Sequence, residues 1–181
     1  KASYAHGETV SLTAVPNTGY TFTGWSGDAS GTANPTTITM NTNKAVTAGF
    51  AAATYTLTIS ATNGTVTKSP NKSTYAHGET VSLEAVPNTG YTFTGWSGDA
   101  SGTSNPTTIT MNANKSVTAG FAAATYTLTV SATNGAVTKS PNKSTYAHGE
   151  TVSLTAAPNT GYTFTGWSGD ASGTANPTTI T

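Results

Sequence analysis

The chain has 181 residues, of which only 14 carry a formal charge, seven of each sign, and none is arginine. Nucleic-acid binding needs a basic face to displace counterions, and scattered lysines balanced by acids do not supply one. No apolar run approaches the roughly 20 residues of a membrane-spanning helix, so membrane insertion is excluded for this stretch, although a signal peptide or anchor could lie outside it.

Cysteine is absent, which says nothing about compartment, since many surface proteins avoid it. Abundant Thr, Ser, Asn and Gly at low charge can mean disorder. Regular apolar spacing, with 13 Tyr and Phe and three Trp, indicates a folded chain instead.

The dominant feature is a repeat, which must be found before anything else is read. Tyr4-Ala5-His6-Gly7-Glu8 recurs from Tyr75 and again from Tyr146, a shift of 71 residues each time. Lys1–Ala53 differs from Lys72–Ala124 only at Ala2, Ser3, Thr13, Ala33, Thr42 and Ala45. Thr54–Thr110 differs from Thr125–Thr181 only at Ile59, Thr65, Glu84, Val86 and Ser104. The expected division is an incomplete repeat at 1–53 lacking its first strands, a complete repeat at 54–124, and an incomplete repeat at 125–181 lacking its last strands. The chain reads as a window on a longer array.

Within the central repeat the period is two. Tyr55-Thr56-Leu57-Thr58-Ile59 alternates apolar and hydroxyl side chains, the pattern of a strand with one buried and one wet face. Asn63-Gly64 is a strong hairpin signal. Val66 sits on a second strand that Pro70 ends. A turn at 76–79 leads into a third strand at 81–85, closed by Pro87-Asn88-Thr89-Gly90. Tyr91–Trp96 is a fourth strand, whose Gly95 marks a bulge or a close backbone approach.

A loop at 97–106 follows, then strands at 108–111 and 117–121, and a short linker at 122–125. No window has helical spacing, so the fold class is all-β: a tandem array of small β-grasp-like or sandwich-like domains with helix absent or minimal. The expected core is Tyr55, Leu57, Ile59, Val66, Tyr75, Val81, Leu83, Ala85, Tyr91, Phe93, Trp96, Ile109, Met111, Val117, Ala119 and Phe121. Among the differences between copies only Ile59, matched by Val130, touches it.

The run NGTVTKSP…YAHGETVSLEAVPNTGYTFTGWSGDASGTSNPTTITMNANKSVTAGF resembles the divergent InlB B-repeat class of bacterial surface repeats. The GYTF-GWSGD block and the NPTTITM…VTAGF tail are its most recognisable parts. The resemblance covers the whole unit and implies a small β-grasp-like domain. It also implies arrays on secreted and wall-attached bacterial proteins, acting as spacers or adhesive modules. β-Grasp domains usually carry a helix, and this sequence shows no helical pattern.

Candidate sites are few. His6, His77 and His148 sit in turns, with Glu8, Glu79 and Glu150 two residues on. A general base needs a nucleophile and an orienting acid, so a turn-stabilising role is expected, with no catalytic residue and no enzyme. Asp28, Asp99 and Asp170 lie one per repeat, too few oxygens for a Ca²⁺ site. An Asx-turn is the simpler expectation, with no metal or cofactor.

Trp25, Trp96 and Trp167 are the residues that could contact a glycan or other ligand. Core anchoring is preferred, although Gly95 breaks the parity with Tyr91 and Phe93. Lys68, Lys72 or Lys115 could form an isopeptide bond to an Asn beside a buried acid, and surface threonines could accept glycans.

The expected function is a stalk, spacer or fibre-forming segment of an extracellular bacterial surface adhesin. The alternative is a carbohydrate- or host-ligand-binding module working through Trp and Tyr. Expected partners are neighbouring repeats or copies of the chain meeting head to tail, and possible partners are glycans or a host surface.

Overall fold

The computed structural model describes residue 1 and residues 3–181, and Ala2 lies outside the described residues. Among these the fold is all-β, with no helix. The first repeat holds β1 (Glu8–Leu12), β2 (Tyr20–Gly27), β3 (Thr36–Met40) and β4 (Val46–Ala52). The central repeat begins with β5 (Thr54–Tyr55), β6 (Leu57–Ala61), β7 (Gly64–Ser69) and β8 (Tyr75–Ala76). It continues with β9 (Glu79–Pro87), β10 (Tyr91–Gly98), β11 (Thr107–Met111) and β12 (Lys115–Ala123). The third holds β13 (Thr125–Tyr126), β14 (Gly135–Ser140), β15 (Tyr146–Ala147), β16 (Val152–Pro158) and β17 (Thr178–Ile180).

In the central repeat the strands form two three-stranded sheets, ordered β10–β12–β6 and β11–β9–β7. The first repeat reproduces the pairs it has strands for, β2–β4 and β1–β3, and the third reproduces β14–β16–β17. Antiparallel register places Thr110 opposite Thr80 and Thr108 opposite Ser82. Thr80, Thr108 and Thr110 are exposed and Ser82 is half-buried, the hydroxyl rows that the alternation requires, and they keep an almost uncharged sheet wet on one side.

The described residues divide into two compact units, and the central repeat contributes to both. One comprises Lys1–Ser60, Val66–Glu84 and Trp96–Thr118. Its core holds Leu57, Tyr75, Val81, Leu83, Trp96, Ile109, Met111 and Val117, all buried, with Val81, Leu83, Met111 and Val117 at 0% exposure. Tyr75 keeps its polar end satisfied, donating to the Pro70 carbonyl at 3.0 Å and accepting from the Lys72 amide at 3.3 Å.

The other unit comprises Ala61–Thr65, Ala85–Gly95 and Ala119–Thr181. Its core is smaller: Tyr146, Val152 and Leu154, with Leu128, Val130, Val137, Trp167, Ala171 and Ile180 packed around them.

Three expectations are corrected. The stretch at 122–125 is not a plain linker, because β12 runs on to Ala123 and β13 opens at Thr125. The first repeat behaves alike: past the bulge at Thr23, where the register steps from Gly24↔Gly49 to Phe22↔Phe50, β2 and β4 stay paired out to Tyr20↔Ala52. Tyr55 and Leu57 do not share one strand, because β5 pairs β8 while β6 joins the other sheet. The third repeat, expected to lack only its last strands, also lacks earlier ones, since 128–132 and 162–166 are not in strand conformation. Their central-repeat counterparts, β6 and β10, both pair with β12, whose equivalent is not in this sequence.

The core makes a graded prediction. Leu83→Ala should cost about 2–5 kcal/mol, the range for emptying a fully buried leucine site. Val86→Ala should stay within about 0.5 kcal/mol, since Val86 is 44% exposed and its counterpart is already Ala157. Chemical denaturation of the two variants beside the parent checks both values.

Candidate functional site

The three His-bearing turns share a glutamate brace, and the turns of His6 and His77 add a glycine amide bonded to a methionine carbonyl. Gly78 donates its amide to the Met111 carbonyl at 2.8 Å. Glu79 reaches back to accept from the Ala76 amide at 3.0 Å and from the Lys72 ammonium. Glu150 does the same with Ala147 and Lys143, and Glu8 with Ala5 and Lys1. The lysine bond and then the amide bond hold each of these carboxyls below the ordinary glutamate range, against a weaker opposing desolvation.

The turn presents its histidine to the preceding repeat. Ala53 donates its amide to the Gly19 carbonyl at 2.7 Å, and its own carbonyl accepts from the His77 amide at 3.2 Å. The Tyr55 hydroxyl lies 3.4 Å from His77 Nδ1, with ring centroids 5.9 Å apart. The next junction repeats the arrangement: Ala124 to Gly90 at 2.8 Å, His148 to Ala124 at 3.2 Å, and Tyr126 against His148 at 6.0 Å.

The imidazoles also explain two glycines. A Cβ on Gly19 would lie 2.8 Å from His77 Cδ2, and one on Gly90 would lie 2.6 Å from His148 Cδ2. Both glycines have φ near +80°, where a side chain is strained in any case. Gly161, third in the series, has φ +84°, but a Cβ there would meet nothing within 4 Å.

The expected turn role of His77 and His148 therefore extends to a joint between repeats. Gly19, Gly90, Ala53 and Ala124 are joint residues that sequence reasoning missed. Their signal was the unvaried Pro-Asn-Thr-Gly-Tyr and Ala-Ala-Ala-Thr-Tyr blocks.

The aspartates have a longer-range role than an Asx-turn. Asp99 accepts from the Ser116 amide at 2.7 Å and donates its own amide to the Ser116 carbonyl at 2.9 Å, with Lys115 at 3.6 Å. Asp28 does the same with Ala45 and Lys44, the Ala45 amide being the larger cause of its lowered pKa. The aspartate thus fixes the loop to the start of β4 or β12. Asn34 makes a second brace missed in the sequence, pairing both ways with the Ala14 backbone at 2.9 and 2.7 Å.

The tryptophans are anchored. Trp96 is 5% exposed, and its indole N–H donates to the Ser104 carbonyl at 2.8 Å. Trp25 and Trp167 are half-buried and donate to Ala33 and Ala175 at 2.8 Å. The bulge at Thr23 restores the parity that glycine broke, so Trp25 returns to the face of Phe22, with centroids 5.1 Å apart.

The lysines have partners other than asparagine side chains: Lys68 the Lys72 carbonyl, Lys72 Glu79, and Lys115 Asp99. Among the described residues no cluster of three metal-ligating side chains occurs.

Two predictions follow from the joint. Gly161→Ala carries only backbone strain, about 1–2 kcal/mol, whereas Gly19→Ala adds the collision with His77. A double-mutant cycle of Gly19→Ala with His77→Ala should therefore show coupling, and one pairing Gly161→Ala with His77→Ala should show none.

The second concerns acid. The folded-state carboxyls titrate below their unfolded values, so their contribution is complete above the ordinary glutamate value of 4.5 and is lost as pH falls through the depressed values. Thermal melts should be level from neutral pH down to about 5 and fall below 4.5, less steeply in Glu79→Gln.

Family comparison places these features together. The model of the divergent InlB B-repeat domain matches the chain in three consecutive segments, at residues 1–54, 55–125 and 126–181. No curated protein gives a match, and no solved structure does. The matched segments leave no residue uncovered, and the chain belongs to the divergent InlB B-repeat domain family.

Proposed function

We propose that the chain is a structural, non-catalytic segment of an extracellular bacterial surface protein, acting as a stalk or spacer that holds other parts of that protein away from the cell. The observation that carries this is the joint. Gly19, Ala53 and His77 are bonded as Gly90, Ala124 and His148 are, with distances matching within about 0.1 Å. A joint that recurs with the repeat is what a spacer needs, because each added copy then extends the same connection. The only histidine of the central repeat is engaged in that joint.

Ligand binding through the tryptophans is the weaker reading, since Trp96 of the complete repeat is buried and its indole N–H is bonded. Neighbouring repeats are the partners of this segment, and copies of the chain would meet head to tail by the same surfaces.

A globule of 71 residues has a radius of gyration of about 11 Å, so each further repeat should add roughly 30 Å. Small-angle scattering of proteins with two, three and five repeats tests this, and a maximum dimension that does not grow removes the stalk. Sedimentation of the 181-residue chain over a range of concentrations tests head-to-tail association, with larger species expected at higher concentration.

A further inference from the structure

The two strands that carry the ends of the central repeat are neighbours in one sheet, since β6 lies beside β12 in the order β10–β12–β6. Their relative direction follows from contacts at each end, each contact lying inside one compact unit. At the start of both strands, Lys115 donates its amide to the Thr56 carbonyl at 2.9 Å. The Thr56 amide in turn donates to the Asn114 side chain at 2.9 Å. At the far end, Gly64, just past β6, lies under Phe121, whose ring would be 2.5 Å from a Cβ on that glycine. Start meets start and end meets end, so β6 and β12 run parallel.

The chain reaches this pair through β5 at Thr54–Tyr55, enters it at Leu57 and leaves it at Ala123, on opposite ends of the two strands. Tension transmitted through an array pulls β6 toward its beginning and β12 toward its end. The two strands then slide along one another, and every bond between them is loaded at once. Bonds between parallel strands are evenly spaced, so none is isolated as a weak first step. Tension applied at neighbouring ends of the strands would instead open the bonds one at a time.

We propose that the parallel β6–β12 pair is a mechanical clamp, giving the repeat high resistance to force along the direction in which the array is pulled. The clamp rests on the stalk reading and adds a load-bearing function to it. Asn114 and Phe121 secure its two ends, the first by the bond to Thr56 and the second by contact with Gly64. The joints lie immediately outside it, at Ala53 and Ala124.

Rupture under force reports the unfolding rate along the pulled direction and not the equilibrium stability. The test is single-molecule pulling of the whole chain in two geometries. The protein has no cysteine, so internal thiol handles attach only where one is introduced, while the termini take fused tags. Thr54→Cys with Ala123→Cys loads the pair in shear, and Thr62→Cys with Ala123→Cys loads it at neighbouring ends; all three positions are exposed. The released lengths at full extension, about 240 and 210 Å, identify the central repeat in each trace.

A several-fold higher rupture force in the first geometry is expected, at matched loading rate and with equal denaturation midpoints. Equal forces, or a lower force in shear, would overturn the clamp. Pulling the unsubstituted chain by its termini guards against a variant that fails to fold. One high-force event of about 240 Å is expected there, and only low-force events would count against the clamp. Length that grows with copy number without a directional force would leave the stalk standing and remove the clamp.

Discussion

The pairing of one strand with two neighbours holds the repeat together. β12 lies between β10 and β6, and its loss removes the ladder partner of both. The third repeat shows the consequence within the same chain. Residues 128–132 and 162–166 match the sequences of β6 and β10 almost without change, yet neither stretch is a strand. Both stretches line an open groove of about 370 Å³, together with Trp167 and Ile180. Local alternation of apolar and hydroxyl residues is therefore not sufficient, since a strand's backbone groups need a partner as well as a buried face. The other sheet, whose three strands are all present, stays intact as β14–β16–β17.

The first repeat shows the converse. It has the central strand, β4, and keeps both of its two-stranded pairings, but lacks counterparts of β6 and β7. Side chains that those strands would cover lie open: Tyr4 is 39% and Phe50 43% exposed, whereas Tyr75 is 1% exposed and Phe121 lies over Gly64. The same sequence thus supports different degrees of burial according to which neighbours are present, as expected of repeats too small to bury a full core alone.

Much of this was legible in the sequence because the period of two is nearly unbroken. Every residue of the expected core is buried or half-buried, from Tyr55 through Phe121. Trp96 was the ambiguous position, because counting from Phe93 places it on the outer face. Sequence alone could not decide whether Gly95 marked a bulge or a break, since that depends on register with a strand some 25 residues away. The role of Asp99 was missed for the same reason: Ser116, its partner, is 17 residues on. The joint was least legible, because His77 is near Gly19 only once two repeats have folded and the linker has fixed their spacing.

Scarcity of charge makes the few charged groups informative. The carboxylates of Glu8, Glu79 and Glu150 fasten the histidine turns, and those of Asp28 and Asp99 fasten loops to Ala45, just before β4, and to Ser116 in β12. Exposed ion pairs of this kind contribute little to stability by themselves. Their bonds to backbone amides give them a different use, fixing where a turn sits. One set positions the histidine that meets the preceding repeat, and the other positions the start of the strand that binds β6. Ala53 connects the two functions, because its amide bonds the Gly19 turn, its carbonyl bonds His77, and the residue after it opens β5. Under the proposed stalk function, tension leaving one repeat through β4 would meet a bonded joint before it reached the next parallel strand pair. Two residues of flexible chain in that position would separate the domains, whereas Ala53 leaves no free span between the end of β4 at Ala52 and the start of β5 at Thr54.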